Sequence, residues 1–129
     1  MDNLINDWDT PICVYDNVEF ASCSTMPDLS VHLFVWTQFM DPDSECYFEF
    51  VWRKWVAYRN SIELFLPFDY GRPNPTAARK ARWTVVVEPS TWLAEVSQSP
   101  LVPKNLKHYR VGTITNIFEI IATAPPEIH

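Results

Sequence analysis

The sequence predicts a β-dominated α+β fold: a largely antiparallel, curled sheet, doubled into a sandwich or partial barrel, with about two short helices. Three observations predict it. Runs rich in Val, Ile, Thr, Phe, Tyr and Trp recur along the chain, turn signals built on Pro, Asp and Asn separate most of them, and helical patterning is confined to two short late pieces. At 129 residues, 47% hydrophobic and 15% aromatic, the chain can bury a core without disulfide or metal. One domain over 1–129 is expected, with a loosely structured part at 1–27 and a flexible tail at 124–129. Each of the six Trp needs an acceptor for its indole N–H if it is buried. With only two Gly, tight turns fall to Asn and Asp.

Taken in order, Ile12 to Tyr15 and Val18 to Phe20 are short apolar pieces that Asp16-Asn17 can join as a small hairpin. Val31 to Met40 is apolar on both alternating faces and reads as a strand covered on both sides. Asp41-Pro42-Asp43-Ser44 is a turn. Cys46 to Arg59 then reads as one long central strand, with Phe48, Phe50 and Trp52 on its better buried face. Its alternation falters at Arg53-Lys54, which predicts a bulge or the end of pairing there. Asn60-Ser61 is a further turn before a short run, Ile62 to Leu66.

The Pro-rich stretch from Pro67 to Pro75 is a loop, and Asn74 caps a short basic helix reaching Arg82. Trp83 to Glu88 is a strand stopped by Pro89. Ser90 is the N-cap of a second helical piece, Thr91 to Ser97. Leu106 to Val111 and Ile117 to Thr123 are two strands of a hairpin around residues 112–116.

The charge is divided. Between Met1 and Trp52 there are ten acidic residues and no Lys or Arg; from Arg53 onward there are ten basic and six acidic residues, for a net charge of −6. The halves can neutralise each other within the fold, meet between copies, or leave the acidic half to a basic partner. A pI near 4.9 sets the mean field against phosphates, so nucleic acid is not an expected partner. No apolar run approaches the roughly 18 residues of a spanning helix, and no membrane association is expected. Three cysteines at no metal-ligand spacing point to free thiols and a cytoplasmic address.

Candidate sites are few. Asp41, Asp43 and Glu45 offer carboxylates but lack the Gly and the distant Glu of a calcium loop, so no metal site is expected. The basic helix end, Arg79, Lys80 and Arg82 beside Trp83, is too small a footprint for nucleic acid in an acidic chain. His32 and His108 lie within strand patterns, where hydrogen-bonded structural roles are the rule; catalysis requires one of them beside a thiol or a Ser held by a third group. Arg53, His108, Tyr109 and Arg110, with Arg59 and Glu119, are the residues that could line a small-molecule pocket, since an Arg fork suits carboxylate or phosphate. Phosphate loops, dinucleotide fingerprints, paired-Cys motifs and hydrolase elbows are absent from the sequence, and no cofactor is expected. The leading expectation is a non-catalytic domain that binds a protein partner or its own copy through aromatic and acidic surface. A small-molecule-binding or enzymatic sheet with a pocket near His108 and Arg110 is the alternative.

Overall fold

The computed structural model describes residues 3–15, 18–38, 45–62, 72–73 and 83–129. They form two sheets. Strands β1 (Leu4–Asp7), β5 (Trp55–Ile62), β6 (Arg72–Pro73), β7 (Thr84–Val87), β8 (Lys107–Gly112) and β9 (Asn116–Ala122) make a six-stranded sheet in the order β5-β9-β8-β7-β1-β6. Strands β2 (Val18–Thr25), β3 (Val31–Gln38), β4 (Glu45–Trp52) and β10 (Glu127–Ile128) make a four-stranded sheet in the order β10-β4-β3-β2. All pairs are antiparallel except β1 with β6. The sheets face each other across one core and do not close into a barrel. Val31, Leu33, Val35, Phe50 and Trp52 come from the smaller sheet, and Tyr109, Val111, Phe118, Ile120 and Ala122 from the larger. The β-dominated sandwich expected from the sequence is the fold observed.

The stretch Cys46 to Arg59 is where the two sheets are joined. Its alternation breaks at Arg53-Lys54 because pairing stops there: β4 ends in the small sheet and β5 begins in the large one. Two strands in different sheets therefore replace one long strand, and Phe50 and Trp52 face the core as the alternation predicts. β5 runs on through Asn60 and Ser61 to Ile62, so the turn expected there does not form. Register opposite β9 holds those two residues in the ladder, Asn60 facing Phe118 and Ser61 facing Ile117.

Other expectations are corrected. Residues 1–27 carry β1 and the eight-residue β2, where a loose segment was expected. Ile12 sits in a 3-10 turn, Pro11–Val14, with Pro at its start, so it does not pair with Val18 to Phe20; β2 pairs with β3 instead. The tail places Glu127 and Ile128 on the edge of β4, and His129 exchanges backbone hydrogen bonds with Glu49. The second helical piece is α1 (Thr91–Val96), capped by Ser90 Oγ accepting from Leu93 N–H at 3.1 Å. The turn at 41–44, the run 63–66 and the basic helix at 74–82 lie outside the described residues.

The hairpin turn between β8 and β9 protects the edge of β2. Asn116 reads the backbone of Ala21 as a paired strand would, accepting from Ala21 N–H at 3.0 Å and donating to its carbonyl at 2.9 Å. Ile114 N–H and Thr115 Oγ1 bond the carbonyls of Val18 and Glu19. An edge strand that presents free donors and acceptors invites pairing with other chains, and here backbone and side-chain groups of the β8–β9 turn engage several of them.

Candidate functional site

Strand alternation decides how the predicted site residues are distributed. His108 and Arg110 point to the outer face of the six-stranded sheet, whereas Tyr109 between them points into the core, its ring 5.1 Å from that of Trp8. Consecutive strand residues cannot share one pocket, so the sequence cluster is split. Arg53 lies elsewhere, at the crossing between the sheets, with its Nε donating to Glu127 at 2.8 Å and its Nη1 3.8 Å from Asp28 Oδ2. Of the four residues, the structure brings together two, and it adds Arg59 and Glu119 to them.

Glu119 is the hub of that group. Register places Arg110 and Arg59 on either side of it, on β8 and β5. Its Oε1 accepts from His108 Nε2 at 2.8 Å and from Arg110 Nε at 3.0 Å, and its Oε2 accepts from Arg59 Nε at 2.7 Å. Helix α1 covers the group: Trp92 meets the His108 ring edge-on at 5.1 Å, and the Arg59 guanidinium lies 4.2 Å over Trp92. Burial alone would push the Glu119 carboxyl up, but hydrogen bonds from His108 and Arg59 and the charge of Arg110 outweigh it and hold it well below the usual carboxylate range. Burial lowers the His108 imidazole despite its glutamate partner, so the ring is neutral.

Proton accounting fixes the roles. An ionised Glu119 only accepts, so His108 Nε2 carries the proton and Nδ1 accepts from Ser90 Oγ at 2.7 Å. The result is a Ser-His-Glu relay, the arrangement that activates a nucleophile in hydrolases. Its hydroxyl is nonetheless buried and accepts the capping N–H of Leu93, so it ties α1 to the sheet.

These groups give stability an acid limit. In the unfolded chain His108 binds its proton near pH 6.5 and Glu119 near pH 4.5, while in the fold both remain unprotonated to lower pH. The unfolded state then binds more protons, so stability is full above 6.5 and falls as pH drops, first below 6.5 and again below 4.5. Urea midpoints measured from about pH 7.5 down to pH 4 should show both stages, with His108→Gln removing the first. A wild-type midpoint that stays level down to about pH 5.5 would reject this assignment.

A second Ser-His-Glu chain stands on the small sheet. Ser30 Oγ lies 2.9 Å from His32 Nε2, and His32 Nδ1 is hydrogen-bonded to Glu49 on the neighbouring strand. Here too the serine is engaged: Asp28 Oδ1 takes its hydroxyl at 2.6 Å and its backbone N–H at 3.0 Å, and those bonds hold the Asp28 carboxyl below its ordinary value. Both histidines are hydrogen-bonded through both ring nitrogens. Ser90 was not legible as a partner, because its contact with His108 joins residues 18 apart across a helix cap, whereas Ser30 stands only two residues before His32 and was overlooked.

The outer face of the small sheet carries a row of aromatic side chains. Register aligns Phe20, Trp36 and Tyr47 on three adjacent strands, with centroids 5.7 Å and 5.0 Å apart. Phe34 follows on the same face, stacked with His32 at 6.4 Å. Phe20 is 43% exposed and Tyr47 54%, while His32, Phe34 and Trp36 of β3 are half-buried, so the β3 face expected to be covered is covered only in part among the described residues. Rings this close at shallow angles overlap one another's faces and present their edges outward. Strands β2, β3 and β4 contain no Lys or Arg, and Glu49 adds a carboxylate to this face.

Among the described residues no group of carboxylates, histidines and thiols is placed to hold a metal ion, and no helix is long and apolar enough to cross a membrane. Comparison with protein-family models, with curated proteins and with solved structures finds no match to this chain.

Proposed function

We propose that this chain is a non-catalytic protein-interaction domain that docks a partner on the outer face of its four-stranded sheet. The observation that carries the reading is the aromatic row of exposed Phe20, half-buried Trp36 and exposed Tyr47 on strands without a single Lys or Arg. Interfaces are enriched in aromatic side chains and draw their specificity from complementary charge. Such a face fits a protein whose apolar patch is rimmed by Lys and Arg. Single-stranded nucleic acid also stacks on aromatic sheet faces, but it needs cations to track its phosphates, and this sheet supplies none. Among ion pairs of the described residues, Arg53 with Asp28 joins a cation to the acidic half, at the crossing and away from this face. The ligand reading near His108 and Arg110 is less favoured, because His108, Arg110 and Glu119 are buried and engage one another.

The test is a paired affinity purification from the cells that make the protein. Wild type should retain a basic protein that is released at high salt. Phe20→Thr with Tyr47→Thr, which keeps strand-compatible side chains, should lose it while its urea midpoint changes by no more than about 1–2 kcal/mol in equivalent stability. Equal retention by the variant, or a salt-insensitive monomer with nothing bound by light scattering, overturns the proposal.

A further inference from the structure

We infer that the crossing between the two sheets is a binding site for a small amphipathic monoanion, an apolar chain ending in a carboxylate. The crossing borders an open groove of about 520 Å³ lined by Leu29, Arg53, Lys54, Trp55, Val56, Pro103 and Thr123. Sites for small ligands have this size and this balance, mostly apolar wall with a few polar groups that fix orientation. Four of the seven walls are apolar, and two adjacent cations stand at the rim.

The charges select the ligand. Arg53 is already engaged by Glu127 and Asp28, whereas Lys54 makes no ion pair among the described residues. One unengaged ammonium with two carboxylates close by attracts a single negative charge and opposes a doubly charged phosphate. The ligand head is therefore a carboxylate at Lys54, and its body lies along Trp55, Val56, Leu29 and Pro103.

Leu29 gives an independent reason. It holds a left-handed backbone, φ 68°, at the turn between β2 and β3, and its side chain is 68% exposed. A branched residue in that region is disfavoured, Gly or Asn being the ordinary occupants, and such strain collects where structure serves binding. The turn is closed by Met26 N–H to Ser30 O and by Leu29 N–H to Met26 O, both 2.9 Å. Trp55 Nε1 donates to the Leu29 carbonyl at 2.6 Å and its ring packs edge-on against Tyr58, whose hydroxyl is 2.9 Å from Thr25 Oγ1. Two walls of the groove are thus locked together before any ligand arrives, which lowers the ordering cost of binding.

The site is separate from the aromatic face of the small sheet, so the two proposals fail independently. The test is a titration of the full chain with decanoate, followed on the Trp55 indole N–H and the Val56 and Thr123 amides by NMR. Saturable shifts at those positions are expected, with decanol and decyl phosphate at least about tenfold weaker. Lys54→Met keeps the length of the stem and should weaken decanoate by about tenfold or more. Leu29→Gly removes the backbone strain, so it should raise the urea midpoint while weakening decanoate about fivefold. Absence of saturable shifts, equal affinity for decanoate and decanol, or unchanged binding by Lys54→Met overturns the site. Tighter binding of decyl phosphate would overturn the monoanion assignment.

Discussion

Glu119→Ala should cost about 3–5 kcal/mol of stability, read as a lowered urea midpoint at neutral pH. The carboxylate is the sole acceptor, among the described contacts, shared by His108, Arg110 and Arg59. Removing it leaves the Arg110 charge buried against the sheet without its glutamate, and that loss of charge pairing, more than the lost bonds, is expensive. A domain of this size has a total stability of only about 5–15 kcal/mol, so the variant should approach its unfolding threshold. The companion Glu119→Leu with Arg110→Met removes both charges and fills the space with apolar atoms. It should recover more than half of the loss, since a buried pair and a well-packed apolar replacement are close in energy. If the double variant is as unstable as Glu119→Ala, the network contributes more than charge satisfaction and this account is wrong.

The same network marks how far the sequence could be read. The strand runs, the switch at Arg53-Lys54, the Ser90 cap and the β8–β9 hairpin were legible because each depends on local alternation, turn chemistry or a capping residue. Glu119 and Arg59 could be named as companions of His108 and Arg110, but their alignment follows from register between β5, β9 and β8, which no local pattern states. Tyr109 was misassigned to the pocket through composition, although its odd position in an alternating strand already sends it to the other face. The N-terminal part was read as loose because β1 is four residues long and derives its order from β7, whose partner residues lie about 80 positions downstream. The glutamate links of the two Ser-His-Glu chains were hidden for the same reason, as was the partly open aromatic face. A strand apolar on both sides reads as doubly covered until the topology shows that no layer lies over the small sheet among the described residues.

Trp52→Ala should be the most damaging core substitution, at about 3–5 kcal/mol. Trp52 is 1% exposed and is the last residue before the chain crosses between sheets. Its ring touches both layers: Phe50 at 6.0 Å on its own strand, Tyr109 at 6.2 Å and Phe118 at 5.6 Å on the opposite sheet, and Trp8 at 6.4 Å from the N-terminal segment. No smaller side chain can keep those four contacts, and close-packed neighbours relax only partly into the space. The indole N–H sharpens the prediction. Trp55 and Trp83 satisfy theirs on the carbonyls of Leu29 and Tyr15, but Trp52 Nε1 is buried with no hydrogen-bond partner. Leaving a buried donor unmade costs about 1–3 kcal/mol, so Trp52→Phe deletes a penalty along with part of the ring. Its net loss should stay under about 1.5 kcal/mol, well short of the alanine variant, with the β-sheet circular dichroism unchanged. A Trp52→Phe loss close to that of Trp52→Ala would mean that the donor is satisfied in solution and that ring volume alone sets the cost.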